Sequence, residues 1–264
     1  MTTPDGPSLS IFIITRNEAD RLPRTLKAVQ GLSDDIVVVD SGSTDATCDL
    51  ARGSGARVVE NPWPGYGPQK RFAEDQCRHT WLLNIDADEV VTPALAAEIR
   101  AAISAPDAAD AYELRIAEVF PLEDAPHPTA YVLAPVRLYR KDRGRYNPSP
   151  VHDRVDMVEG ARIARLKGTI HHFSVRSLGD QIAKLNAYTD QQVADLAARG
   201  RTIATLRMFT EFPLSFLRAY ILRRHFTRGV YGIATAMNYA YFRWMRVAKD
   251  YERRKLAERA ARQD

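Results

Sequence analysis

Two cysteines in 264 residues leave little room for disulfide or thiolate-metal chemistry, and Cys48 and Cys77 fit no metal-ligand or redox spacing. The opening MTTPDGPSLS lacks the basic-then-apolar layout of a secretory signal, so a reducing cytoplasm is the expected compartment. No uninterrupted apolar run reaches the roughly 20 residues that a spanning helix needs. The longest candidate, GVYGIATAMNYAYF at 229–242, falls short, so the chain is expected to touch a membrane without crossing it. No G-x-G-x-x-G follows the first apolar run. A dinucleotide cofactor is therefore disfavoured, because the tight glycine turn that lets a pyrophosphate approach a helix N-terminus is missing. Internal repeats and low-complexity segments are absent too.

What is present is an ordinary globular composition, 45% hydrophobic and 27% charged, with a net charge of +4 that hides an asymmetry. Residues 199–264 hold fifteen Lys or Arg against five Asp or Glu, a balance of +10, which leaves −6 for residues 1–198. An anionic partner surface would be met by the tail. From the N-terminus, short Ile/Val-rich runs alternate with helical patterns. SIFIIT (10–15) precedes a helix through DRLPRTLKAVQG, DIVVVD (35–40) precedes TDATCDLARGSG, RVVE (57–60) precedes QKRFAEDQCRH, and WLLNID (81–86) precedes PALAAEIRAAIS. Such alternation predicts an α/β fold with a parallel sheet covered on both faces, in which ligands collect beyond the carboxyl ends of the strands. AYELRIAEVF, VRLYRK, VHDRVDMV and ARIARLKGTIHHF predict a mixed or antiparallel continuation, and from Ser177 the pattern is helical, with an N-cap at Ser-Leu-Gly-Asp.

Four strand tips end in polar signatures, TRNE, DSGSTD, the later QK and DAD. TRNE (15–18) follows the first and DSGSTD (40–45) the second. There Asp40 either presents its carboxylate to a base or ribose or simply belongs to the turn. After the fourth come Asp86, Asp88 and Glu89, three carboxylates whose crowding calls for a compensating positive charge. Hard oxygen ligands at i and i+2 suit Mg²⁺ or Mn²⁺, which completes its shell with water and substrate phosphates; alternatively Asp88 and Glu89 favour the N-terminus of the following helix.

The order IITRNEADRL, VVVDSGSTDAT, WPGYGPQKRFA, WLLNIDADEVV resembles the family 2 inverting glycosyltransferases of the GT-A fold. WPGYGPQK, VHDRV, HHFSVRSLGDQIAKLN and PLSFLRAYILRRHFTRGVYG are more closely similar to the bacterial lipopolysaccharide-core β-glucosyltransferase family, and the likeness runs from about Ser10 to Lys249. The resemblance implies a GT-A catalytic domain over residues 1–200, with a mostly parallel Rossmann-like sheet, and a basic helical extension over 201–264. It implies that Thr15, Asn17 and Glu18 line the nucleoside pocket and that Asp40 holds the base or ribose. Gln69 and Lys70 lie beside the donor, Asp86 reaches the ribose or a metal-bound water, and Asp88 carries a divalent metal. Lys70 suits a diphosphate because its ammonium is a compact charge on a flexible stem, although most lysines simply face solvent.

Inverting transfer needs a base for the acceptor hydroxyl opposite the leaving diphosphate, and Asp153 in VHDRV is the candidate, its alternative being a surface pair with Arg154 or Arg162. The family often shows Glu at this place, so the shorter Asp alters the reach. His171 and His172 alternate along a strand, so one of them faces the site; the family pattern points to His172 as a further metal ligand, while a hydrogen-bonded structural histidine is the plainer reading. In the tail, Arg243, Arg246, Lys249 and Arg253 recur at helical steps beside Tyr241, Trp244 and Met245, a stripe suited to an anionic membrane surface. Plain packing with a solvated charged face competes, and no nucleic-acid partner is expected, since no such module accompanies the charge. The expected function is metal-dependent transfer from a UDP-sugar, UDP-glucose first, to a saccharide hydroxyl of a lipopolysaccharide-core or related glycolipid, at the inner face of the cytoplasmic membrane. A polyprenyl-phosphate glycosyltransferase and a non-catalytic nucleotide-binding membrane adaptor are the alternatives.

Overall fold

In the computed structural model, residues 9–150 and 152–262 are described. Apolar side chains on both faces of β1 (Leu9–Thr15) and β2 (Asp35–Asp40) force these strands into the middle of a covered sheet. Ile11 and Ile13 of β1 join one core cluster, and Phe12, between them, joins another on the opposite face. Parallel pairing of β1 and β2 with β3 (Arg57–Glu60) and β4 (Trp81–Asn84) gives the order β3-β2-β1-β4. The connecting helices are α1 (Leu22–Val29), α2 (Thr47–Gly53) and α3 (Tyr66–Gln76). Leu22, Leu26 and Val29 form the buried stripe of α1.

Beyond β4 the sheet becomes mixed, as expected. After β5 (Glu89–Val91) and α4 (Pro93–Ser104), the chain adds β6 (Ala111–Glu118), β7 (Val132–Leu133), β8 (Val136–Arg140), the small pair β9 (Gly144–Tyr146) and β10 (Val155–Met157), and β11 (Ile163–His172). Thr92 caps α4, accepting from the Leu95 N–H at 3.3 Å, and Pro93 sits at the first helical position, where no donor is needed. The main sheet has nine strands, with β8 antiparallel to β4, β6 and β11 parallel to each other, and β5 antiparallel to β11. Six strands therefore run one way, and the mostly parallel α/β sheet implied by the resemblance is observed. This topology fixes the site. The carboxyl ends of β1, β2, β4 and β11 lie along one edge, and antiparallel β8 brings its amino end, with Arg137, to that same edge.

The described residues form two compact units, one within 9–127 and 131–174, the other 128–130 with 175–262. The second contains α5 (Leu178–Ala198), which the sequence reading grouped with the catalytic domain, then α6 (Arg207–Leu217), a π turn (Arg218–Leu222), a 3-10 turn (His225–Arg228) and α7 (Gly229–Ala260). Ser177 caps α5 from the Asp180 N–H at 3.1 Å. No described helix is long and apolar enough to cross a membrane. The basic stripe of α7 is largely taken up inside this unit. Arg243 pairs with buried Glu211 at 2.9 Å, Lys249 with Asp190 at 2.6 Å, and Arg253 with fully buried Asp250 at 2.8 Å, while the Trp244 Nε1 donates to the Met208 carbonyl.

Candidate active site

At the tips of β1 and β2 the polar residues bind one another. Asp40 is buried, and its Oδ1 accepts the N–H groups of Gly42 and Ser43 at 2.9 and 2.7 Å while its Oδ2 takes the Ser43 hydroxyl. Asn17 adopts a left-handed backbone (φ 55°), a conformation that asparagine tolerates better than most residues, and its Oδ1 accepts the Thr44 N–H at 2.8 Å. The Ser43 hydroxyl accepts the Asn17 N–H in return, so the two loops are latched together. Gln69, fully buried, donates to the Ser41 hydroxyl at 2.9 Å and the Asn61 carbonyl at 3.2 Å and accepts from Asn61 Nδ2 at 2.6 Å. The hydroxyl of Thr15 is the exception, buried without a hydrogen-bond partner among the described residues.

At the β4 tip the compensation is long-range. Asp86 lies between Arg137 Nη2 at 2.9 Å and Lys70 Nζ at 3.2 Å, and Lys70 reaches on to Asp153 Oδ2 at 2.8 Å. Glu89, buried, accepts the Asp86 N–H at 2.8 Å and stands 3.4 Å from Arg137. Asp88 lies between Arg21 Nη1 at 3.1 Å and His172 Nε2 at 3.4 Å, and Arg21 also grips both oxygens of Glu18. The question raised by three crowded carboxylates is thus answered among the described residues by three protein cations and a histidine.

The protonation states follow. Burial opposes charge throughout. At Asp86, Arg137 and Lys70 outweigh it and hold the carboxyl far below its usual range; at Lys70, only 3% exposed, Asp86 and Asp153 outweigh it and raise the ammonium. Glu89 goes the other way, raised by burial that Arg137 only partly offsets, so Asp86 keeps the negative charge of that pair. His172 is raised to about 9 against burial by Asp88, and Asp88 is lowered against burial by His172 and Arg21. His171 points elsewhere, lowered by burial and by Arg24. The register pairing His172 with Glu89 decides which histidine faces the site.

A divalent metal would meet a limited but suitable donor set. Asp88 Oδ1 and His172 Nε2, 3.4 Å apart, are close to the roughly 3 Å separation of neighbouring ligands on one small ion. Asp86 is already held on both oxygens by cations, and no group of three or more His, Cys, Asp or Glu that could hold a metal is found among the described residues. A metal would therefore take most of its ligands from a bound diphosphate and water, as small hard cations commonly do.

Several residues of the site escaped the sequence reading. Arg137 is hidden from sequence because it lies at the start of an antiparallel strand rather than at the end of a parallel one. Arg21 sits within the helical pattern DRLPRTLKAVQG, which by itself marks nothing more than a helix, and in the fold it is the residue just before α1. Tyr146 is buried beside the network, its hydroxyl donating to Asn84 at 2.7 Å and its ring 5.0 Å from the Lys70 ammonium. The glycines of WPGYG were the available signal for the rest. A Cβ on Gly65 would come within 2.6 Å of Pro150, and one on Gly67 would collide with the Asn147 carbonyl, so α3 can approach the 147–150 loop only with glycine at both positions. The Tyr66 and Gly67 N–H groups donate to the carbonyls of Pro150 and Ser149 at 3.0 Å each, which ties the loop leading to Asp153 to the helix carrying Lys70. Trp63 and Tyr66, both about half exposed, meet edge to face at 4.9 Å on that same segment.

The pattern of glycosyl transferase family 2 matches residues 10–166. The chain belongs to that family. It is 31% identical to the lipopolysaccharide core biosynthesis glycosyltransferase LpsC of Rhizobium meliloti, over 95% of this chain and 94% of that one. It is 36% identical to an uncharacterized glycosyltransferase of Rickettsia bellii, over 91% of this chain and 85% of the relative. Among solved structures, it is similar to the crystal structure of S. aureus TarS 1–349 with a TM-score of 0.48 and 17% identity, covering 84% of this chain and 72% of that one. The edge assembled around Asp86 is accordingly the candidate centre of a glycosyltransferase.

Proposed function

We propose that the chain transfers a hexose, glucose first, from a UDP-sugar to a saccharide hydroxyl of a lipopolysaccharide-core or related glycolipid, with inversion and with Mg²⁺ or Mn²⁺. The carrying observation is Lys70, whose ammonium bridges Asp86 and Asp153 and so joins the donor side of the edge to the proposed base. The likeness to LpsC supports the acceptor class. The lipid anchor of such an acceptor would bring the chain to the inner face of the cytoplasmic membrane.

In this reading Thr15, Asn17, Glu18, Asp40 and Gln69 shape the nucleoside pocket, mostly by holding its loops, and the unpartnered Thr15 hydroxyl is available to the nucleotide. Asp88 and His172 would hold the metal, which when bound supplies positive charge to the departing diphosphate. Arg137 keeps Asp86 ionised. Donor binding offers Lys70 a diphosphate in place of Asp153; the freed carboxylate then accepts the proton of the acceptor hydroxyl as it attacks in line. Trp63 and Tyr66 offer flat apolar faces to the acceptor ring at the mouth.

The test is a panel of UDP- and GDP-sugars assayed for nucleotide release with core-saccharide acceptors, with and without Mg²⁺ or Mn²⁺. Metal-dependent UDP release that requires the acceptor is expected. Absence of release from every donor, or release that ignores the acceptor, would overturn the assignment.

A further inference from the structure

The second unit contains a pocket of about 390 Å³ where the end of α5, residues 201–207 and α7 meet, and its wall carries three arginines, Arg201, Arg207 and Arg246, together with Thr202. Among the described residues no carboxylate lines it. Arg207 and Arg243 share one acid beside it, Glu211, at 2.8 and 2.9 Å. Asp250, whose Oδ2 accepts the Ile203 N–H behind the pocket, is matched by Arg253 and Arg254. Arg246 makes no ion pair among the described residues, and its Nε is buried with no hydrogen-bond partner. Burial and the neighbouring Arg243 lower its pKa, with Arg207 adding to them, and Glu211, already shared by Arg207 and Arg243, offsets this only in part. A buried donor left unmatched in a cationic pocket is costly, and an anion would satisfy it.

The surroundings of the pocket indicate what carries that anion. Leu206 and Phe209, on either side of Arg207, are 73% and 78% exposed. Leu217 and Ile221 continue exposed apolar positions beyond them, and Val230, Ile233, Met237 and Tyr241 form a second exposed row at three- and four-residue steps on α7. The two rows are joined through the π and 3-10 turns, where Leu222 and Phe226 are exposed as well. Gly232 permits this bend, since a Cβ there would collide with the His225 carbonyl. From Phe212 to Lys249 there is not one Asp or Glu against seven Lys or Arg. Apolar side chains set among cations and free of acids match the interface of an anionic bilayer.

We propose that the Arg201–Arg207–Arg246 pocket is a phosphate site, filled by the headgroup of an anionic phospholipid while Leu206, Phe209 and the neighbouring apolar rows enter the acyl boundary. The inference rests on the membrane-borne acceptor proposed above but not on the chemistry at the sheet edge. It moves the docking surface away from the stripe of Arg243, Lys249 and Arg253, whose charges already have partners.

The full chain is titrated with inorganic phosphate by calorimetry and sedimented with vesicles of phosphatidylcholine alone or of phosphatidylcholine with phosphatidic acid. Saturable phosphate binding is expected, weakened about tenfold or more by Arg246→Gln and less by Arg201→Gln, an exposed position where folding is not at issue. Phosphatidic acid vesicles should carry the protein down and plain vesicles should not. Phe209→Ser should reduce sedimentation and leave inorganic phosphate binding unchanged, which separates the lipid from the free ion. Circular dichroism melting checks each variant, and UDP release with a water-soluble acceptor should be unaffected in all of them. Absence of phosphate binding, sedimentation indifferent to both arginine variants, or phosphate binding without vesicle binding would each overturn the proposal. Loss of UDP release in the unmutated chain would count against the sheet-edge reading alone.

Discussion

Asp40, the last residue of β2, and the Asp86–Asp88 pair, just past β4, stand at the tips of parallel strands separated only by β1, yet their charges are balanced in opposite ways. Asp40 is satisfied within three residues of itself, by two backbone N–H groups and one hydroxyl of its own turn. Asp86 draws on Lys70 and Arg137, which are sixteen and fifty-one positions away, and Asp88 on Arg21 and His172. The first arrangement fixes a loop. The second holds separable charges that a ligand can re-pair, because each cation reaches the carboxylates from a different element. Two aspartates of similar sequence setting thus serve as a clasp and as a charge store.

The comparison is tested most severely at the far end of the charge store. Asp153→Asn should lower turnover by roughly 100- to 10,000-fold while UDP binding by calorimetry persists. Full activity in that variant would favour an acceptor that is already ionised, such as a phosphate. Asp88→Ala should remove the Mn²⁺-dependent part of UDP binding; equal affinity with and without the ion, in both the variant and the parent, would disconnect Asp88 from any metal. Arg137→Met leaves Asp86 with Lys70 alone and Glu89 with no paired cation among the described residues, and a loss of about 3–5 kcal/mol in urea unfolding is expected, the usual cost of breaking a buried pair. Asp40→Ala should cost only about 1–2 kcal/mol, since it removes local turn and cap bonds. If the two variants lost equal stability, the distinction between clasp and store would fail. The smallest effect is expected for Trp63→Ala, a several-fold rise in acceptor KM at unchanged donor KM, within the range of about 0.5–1.5 kcal/mol for aromatic contacts.

Much of the first unit could be read from residue order. The runs at 10–15, 35–40, 57–60 and 81–86 became β1 to β4, the last ending at Asn84, because continuous Ile/Val runs separated by helical periods have few other ways to be buried. Helix α3 starts at Tyr66, three residues before the expected Gln69, since its first N–H groups are met by the 149–150 carbonyls, partners invisible in local sequence. Strand alternation indicated that only one of His171 and His172 could face the edge, but the phase came from pairing with β5. In α7 the periodicity identified a basic stripe correctly, and Glu211, Asp190 and Asp250 then turned three of its members to internal use.

Strand and helix identity, the turn chemistry at Asp40 and the family motifs are short-range properties, set by side-chain period and nearby hydrogen bonds, and they are carried by the amino-acid order. Which cation neutralises which carboxylate is a long-range matter. Arg137 joins Asp86 because β8 runs antiparallel beside β4, and Lys70 meets Asp153 because two glycines let α3 close on a distant loop. Coulomb attraction acts on distance in space, and that distance exists once the chain has folded.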